Sequence, residues 1–527
     1  MSMSRRHVLA GTGAAAVLAG THKPVLAQAK ATTLRFIPQA DLSSLDPIVT
    51  TSYAVRNYGY MVFDTLYAMD SSFTVRPQMA EGHEVSADGL TWTIRLRDGL
   101  RFHDGAPVRA RDCVASVKRW GARDGLGQSL MAITNDMPVL DDRTCQFRLK
   151  SPFPLLADAL GKASTPIPFI MPERLAATDP ATAIREAVGS GPFQFLRDEW
   201  VSGSSAAFAR FEGYVPRGEP ADGTAGGKVA HVDRVEWRIV PDAATAAAAL
   251  QANEVDWYEQ ADLNLVPLLR GSRGVVTESF DSGTAPFIRF NHVQPPFNNL
   301  TVRQAVLAAV VQSDYLMAMA GDPGLFRECK SYFFCGTPMS TGAGSEAMVG
   351  SLDAAKRILA GSGYKGELVR IISPTDLAYL HAAALVTEDL LRRMGMNVEL
   401  AATDTGTFFS RRNSAEPVSG GGWSIFHSGP TAADTLNPAL HIGLRGNGRK
   451  GWPGWPTDPD LEALRQQWMD APGQAARAGI AAEVERHCFA NVPYVPLGIV
   501  SNVTAHRSSV SGLVKATAPL AWNIRKS

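Results

Sequence analysis

The chain carries no surplus of charge of either sign. Among its 527 residues, Lys+Arg and Asp+Glu are equal at 51 each. No basic excess advertises a nucleic-acid partner, and no acidic tail advertises a charged one. Past the N-terminus no segment approaches 18 apolar residues, so no permanent membrane span is expected. Catalytic signatures are scarce as well: neither H-E-x-x-H nor G-x-S-x-G occurs. "GTAGGKV", Gly223 to Val229, lacks the phosphate-loop spacing and the Ser or Thr after its lysine. "GNGRKG", Gly446 to Gly451, matches a dinucleotide pattern by letter. "WPGWP" follows it, so no helix N-terminus is available to a pyrophosphate. Cysteines number five, none in zinc spacing. No short repeat is evident, and no metal or cofactor is expected.

What is present is ordinary for a globular chain: 45% hydrophobic and 19% charged residues. The length exceeds one compact core and calls for two or three domains. The 47 glycines and 33 prolines imply many turns. The start, "MSMSRRHVLAGTGAAAVLAGTHKPVLAQAK", has a basic pair at Arg5 and Arg6, a mildly apolar run from His7 to Gly20, and small residues near its end. It is a signal peptide over 1–29. The paired arginines, the Gly/Ala-diluted apolar run and Lys23 favour the twin-arginine route over an ordinary secretory signal. No cysteine follows, so no lipid anchor is expected. A soluble mature chain in the periplasm should begin near Lys30.

An oxidising compartment permits disulfides. Cys329 and Cys335 flank the short loop "CKSYFFC" and are the expected bridge; two small buried thiols are the alternative. Cys113 and Cys145 fall on apolar faces and read as core.

The stretch "LRDGLRFHDGAPVRARDCVASVKRW", from Leu96, sets His103 beside Asp104. Before it, Trp92, Ile94 and Leu96 alternate with Thr93, Arg95 and Arg97, the pattern of a half-buried strand. "RDG" is a hairpin turn with Gly99 free to take positive φ. Pro107 leads into a helix with a stripe of Cys113, Val114, Val117 and Trp120. His103 and Asp104 therefore sit in a strand-to-helix turn. Neighbours on an extended chain point apart, so the pair reads as structural rather than as an acid–base dyad. Asp242 and Thr301 are expected helix N-caps, Gly361 and Gly395 helix stops. Arg303 is expected in a helix salt bridge.

Several segments carry a resemblance. They include "LSSLDPIVTT", "VFDTLYAMDSSFTVRPQMAEGHEVSADGLTWTIRLRDGLRFHDGAPVRARDCVASVKRW", "GSGPFQF", "VEWRIVPDAATAAAALQANEVDW" and "QPPFNNLTVRQAVLAAVVQSDYL". "SLDAAKRILAGSGY", "VTEDLLRRMGMNVEL" and "ANVPYVPLGIVSNVTAHRSSVSGL" extend it over nearly the whole mature chain. Together they resemble the family 5 solute-binding proteins, the dipeptide/oligopeptide/nickel class serving ABC importers. The resemblance implies an α/β, two-lobed periplasmic binding protein-like fold of type II with mixed sheets and an extra subdomain. Carried onto this chain, the first lobe is 30–65, 190–283 and 493–527, the inserted subdomain 66–189 and the second lobe 284–492. It implies capture of a small-molecule or peptide solute between lobes joined by a hinge crossed twice. Delivery goes to a membrane permease and its ATPase. No chemistry is implied; a secreted hydrolase is the rival class. A monomer without nucleic acid is expected.

The richest candidate for the site is "GGGWSIFHSGPTAADTLNP", Gly420 to Pro438. Its glycines let backbone approach a ligand, and Trp423, Phe426 and His427 supply ring surface. In peptide-binding relatives, the resemblance implies, an acid after this tryptophan takes the peptide's ammonium. Here it is missing, and Asp434 is the nearest. By the same resemblance Thr375, Asp376 and Tyr379 follow a second-lobe strand, and Tyr53 and Asn57 follow the first strand, all as lining candidates. Trp452 or Trp455 is placed to reach the cleft mouth or a surface loop.

Replacing Arg5 and Arg6 by lysine should block export. Fractionation is expected to find the variant uncleaved in the cytoplasm, and normal periplasmic levels would refute the twin-arginine route.

Overall fold

The computed structural model describes residues 32–527. The signal peptide and its twin-arginine pair lie outside the described residues.

Two mixed sheets organise the chain. The first is ordered Phe193–Phe195, Ser205–Arg210, Arg234–Arg238, Thr33–Ile37, Trp257–Tyr258, Ile499–Arg507, Val275–Thr284, with Phe326–Arg327 added against Ile499–Arg507. Thr33–Ile37 runs parallel to both Arg234–Arg238 and Trp257–Tyr258, so the carboxyl ends of these strands share one edge. The second sheet is ordered Val398–Thr403, Val369–Pro374, Ile425–Ser428, Phe287–Phe290, Tyr494–Pro496. Its first three strands are parallel, and helix Ala378–Met394 packs against them.

Apart from the excursion through Phe326–Arg327, the chain passes between the sheets twice. Val275–Thr284 leads to Phe287–Phe290, and Tyr494–Pro496 leads to Ile499–Arg507. The second passage thus follows Pro496, a little beyond the expected boundary at 493, because Tyr494 and Val495 still pair with Phe287–Phe290. The passages are bonded to each other: Leu497 N–H donates to the Pro286 carbonyl at 2.9 Å. Between them the Thr284 hydroxyl donates to Asn502 Oδ1, also at 2.9 Å.

A four-stranded antiparallel sheet, Ala80–Val85, Thr91–Leu96, Thr144–Leu149, Thr134–Asp136, forms the inserted region. Trp92, Ile94 and Leu96 are buried, as their alternation predicts. Helix Ala110–Gly121 buries Cys113, Val114, Val117 and Trp120. Arg119 of this helix makes a fully buried two-pronged contact with Asp46, 2.7 Å at the shorter. His103 is also structural. Its backbone N–H donates to the Gly189 carbonyl, and Nε2 lies 3.0 Å from the Gly191 carbonyl. Burial lowers its pKa to about 4, while Asp104 bonds the Ala106 N–H and Arg174.

Some local expectations need correction. Asn299, not Thr301, caps helix Leu300–Ala309, accepting from the Thr301 N–H at 2.9 Å. Arg303 is structural without an acid: it donates to the carbonyls of Phe297, Asn491 and Val492. Asp242, Gly361 and Gly395 terminate helices as expected. Cys329 and Cys335 are joined by a disulfide, and Cys113, Cys145 and Cys488 are buried thiols. No helix among the described residues is long and apolar enough to cross a membrane.

Gly498 lies in the second passage at φ +101°, where a Cβ would come within 2.7 Å of Leu316 Cδ1 and 3.0 Å of the Arg327 carbonyl. Gly498→Ala should cost roughly 1–3 kcal/mol from backbone strain alone. Urea unfolding at constant m checks this, and an unchanged midpoint would contradict it.

Candidate functional site

The parallel strands of the two sheets end near the passages, where open α/β sheets place ligands. Helix Tyr53–Val62 starts there. Its Tyr53 hydroxyl donates to Asp434 Oδ2 at 2.6 Å and accepts from the Thr431 N–H at 3.1 Å. Tyr53 lies on the chain of the first sheet, Thr431 and Asp434 on that of the second. Asp434 also accepts from the Thr431 hydroxyl and N–H, a capping box that holds its carboxylate in place. Burial and the Asp434 charge raise the Tyr53 pKa well above the usual phenol value, so Tyr53 stays a donor.

Behind Tyr53, one turn along the same helix, Asn57 and Arg56 continue the network. Arg56 is 4% exposed. Its Nε and Nη2 donate to Asn57 Oδ1 at 3.2 and 3.0 Å, and its guanidinium carbon lies 4.5 Å from the Tyr53 ring centre. Its Nη1 is buried without a hydrogen-bond partner. Among the described residues no carboxylate lies within ion-pair distance of it. Asn57 Nδ2 donates to Glu259 Oε1 at 2.9 Å. Glu259 follows strand Trp257–Tyr258 and also accepts from Gln39 N–H and Nε2, at 2.7 and 3.1 Å. It keeps part of its surface exposed, yet desolvation raises its pKa to about 7.

Tyr379 reaches the same place from the second sheet. A Cβ on Gly429 would stand 2.8 Å from its hydroxyl and 2.6 Å from Thr284 Cγ2. Gly429 is therefore the residue that lets Tyr379 and the first passage meet. Burial lifts the Tyr379 pKa to about 12. Thr375 and Asp376 are exposed at the end of Val369–Pro374, where Asp376 accepts from the Thr405 hydroxyl at 2.6 Å.

The aromatic candidates sit deeper. Trp423 has no exposed surface, and its indole N–H donates to the carbonyls of Arg412 and Ser414. It packs on Phe426 and Trp455 with ring centres 4.9 and 5.8 Å away. His427 points to the opposite face of the sheet, with Nε2 2.8 Å from the Thr387 hydroxyl and its pKa lowered to about 3 by burial. The glycines before Trp423 serve the chain itself: a Cβ on Gly422 would lie 1.8 Å from the Glu416 carbonyl. Trp452 stands between Arg412 and Arg289, 5.1 and 5.3 Å from their guanidinium carbons.

Tyr53, Asn57, Tyr379 and Asp434 thus converge near the passages, while Trp423, Phe426 and His427 pack within the second-sheet region. Sequence reasoning missed Arg56, Gln39 and Glu259. The available signal was the acid that follows "VDWY" at the carboxyl end of a strand.

The fold and the cleft define a two-lobed solute-binding protein. The model of the bacterial extracellular solute-binding proteins, family 5 Middle, matches residues 74–441, and the chain belongs to that family. It is 37% identical, over the full length of both chains, to a probable peptide ABC transporter periplasmic-binding protein, y4tO, of Sinorhizobium fredii. It is 25% identical to the glutathione-binding protein GsiB of Salmonella typhi over 90% of each chain. Among solved structures it resembles AgaA of A. tumefaciens R10 in complex with agropinic acid, with a TM-score of 0.79 at 21% identity. That match covers 94% of this chain and 99% of AgaA. DppA of Helicobacter pylori in complex with the peptide STSA also gives 0.79, at 22% identity, over 94% and 98% of the two chains. Family membership makes this an extracytoplasmic binding component of an ABC importer, not an enzyme. It holds a solute between two lobes for the permease and ATPase.

Trp423→Ala should remove a buried indole and about 3–5 kcal/mol of stability. A melt without ligand checks this; an unchanged melting temperature would show that the indole does not carry the packing seen around it.

Proposed function

We propose that the protein captures a small, carboxylate-bearing, peptide-like solute in the cleft between its lobes. The single observation that carries this reading is Arg56: a guanidinium almost wholly buried beside the inter-lobe Tyr53–Asp434 bond, with no acid of its own and Nη1 unpartnered. A buried cation without a partner costs free energy, and a solute carboxylate compensates that cost. The solutes named for the relatives, a peptide, glutathione and agropinic acid, all carry carboxyl groups.

In this reading the first lobe is 30–65, 190–283 and the C-terminal residues after the second passage. The insert is 66–189, and the second lobe begins at 284. Tyr53, Asn57, Tyr379 and Asp434 line the cleft, with Thr375 and Asp376 at its rim. Trp423, Phe426 and His427 back the second-lobe wall. The mature protein works as a periplasmic monomer without a lipid anchor and without nucleic acid. Closure brings Asp434 and Thr431 onto Tyr53, so this bond forms as the solute is enclosed.

Native mass spectrometry of protein purified from its host's periplasm should reveal a co-purified acid. Adding that acid should raise the melting temperature by linkage. Arg56→Met should lose at least about tenfold in affinity, from loss of a charge-assisted pair. A co-purified solute without a carboxyl group, or full affinity in Arg56→Met, would overturn the reading.

A further inference from the structure

Glu259 is the counterpart of Arg56: an acid in the cleft floor with no cation. Its three donors, the Gln39 N–H, Gln39 Nε2 and Asn57 Nδ2, are all neutral. Among the described residues no Lys, Arg or His lies within ion-pair distance of it. It stands at the carboxyl edge of the first sheet, just beyond the parallel strands Thr33–Ile37 and Trp257–Tyr258. It remains partly exposed there, whereas Asp256, three residues earlier and just before the same strand, is consumed by Arg35 and Lys526. Oε1 accepts two of these bonds and Oε2 one, so Oε2 retains a free lone pair.

We propose that Glu259 receives an ammonium group of the solute on the first lobe, and that binding expels the proton this carboxyl carries when the cleft is empty. This rests on the peptide-like reading above and adds the second charge the solute must bear. The balance is simple. The neutral acid and the solute's R-NH3+ give a carboxylate–ammonium pair, and one proton leaves to the buffer. The elevated pKa of about 7 follows first from desolvation, which the Gln39 and Asn57 bonds and the Arg56 charge only partly offset. The charged group that acts on Glu259 is Arg56 on the neighbouring helix, and its hydrogen-bond partners Gln39 and Asn57 are neutral. A bound ammonium favours the ionised form, so affinity must rise as pH climbs towards the free-state pKa and must fall below it.

Isothermal titration with L-alanyl-L-alanine, glutathione, their N-acetylated forms and the co-purified solute tests this, in two buffers of different ionisation enthalpy. The free amines should bind about tenfold more weakly at pH 5.5 than at pH 7.5 and release about half a proton per solute at pH 7. The N-acetylated forms should bind more weakly and release none. Glu259→Gln, close to isosteric, should flatten the pH profile, abolish proton release and remove the preference for the free amine. The wild-type pH profile and the amine preference need no variant, so a poorly folding Glu259→Gln leaves the test intact. A pH-independent affinity, absence of proton release, or a Glu259→Gln that keeps the amine preference would overturn the proposal. So would a co-purified acid that lacks an amine. Arg56-dependent binding of acids whatever their amine would overturn Glu259 alone and leave the carboxylate reading standing. If none of the probes binds and the co-purified solute has neither group, both fall.

Discussion

Two short passages of chain, Thr284 to Phe287 and Pro496 to Ile499, join the two main sheets directly, and they are hydrogen-bonded to each other. Thr284 reaches Asn502, and Leu497 reaches Pro286, so the passages form one narrow ribbon rather than two loose linkers. Gly498 and Gly429 are small where this ribbon touches its surroundings. A ribbon of this kind resists stretching and shear but permits rotation about itself. The cleft geometry follows from that constraint. Tyr53, Thr431, Asp434 and Tyr379 meet beside this ribbon.

Two contrasting kinds of buried charge bear on the cleft. One kind is fully matched within the chain: Arg119 with Asp46, and Lys228 with Asp64 at 2.7 Å, both out of contact with solvent. Such pairs fix one arrangement, because removing either partner strands the other. The other kind is left incomplete. Arg56 has no acid and Glu259 no cation, although they share the mediator Asn57. The chain could have joined them directly. Holding them apart through a neutral amide keeps both available and gives the cleft floor two poles of opposite sign.

Much of the fold was legible in the sequence because strand alternation and capping residues act locally. The insert strand with Trp92, Ile94 and Leu96, the Gly99 turn and the Cys113–Trp120 stripe needed only nearest-neighbour physics. The Thr301 cap missed by two residues because an Asn and a Thr both suit that role. Arg303 looked like an ion-pair residue because sequence cannot reveal that three carbonyls converge on it. The site was read less well for a related reason. Aromatic rings and glycines near Trp423 suggest a ligand wall, but the same residue types also build a core beneath a turn, and here Gly422 clears the Glu416 carbonyl. Glu259 and Arg56 derive their character from missing partners, and a missing partner can be seen only once the fold has brought the neighbours together.

The Arg119–Asp46 clamp also has a mechanical reading. It ties helix Ala110–Gly121 to Asp46, so that the stretch proposed as the insert would move with the first lobe. The insert then acts as an extension of a lever whose fulcrum is the ribbon. For a given turn, points far from the fulcrum sweep a longer arc than points near it. A displacement too small to notice beside Tyr53 becomes a gross change of profile at the insert's outer edge. A rim carried through such an arc would differ in profile between an empty and a filled centre.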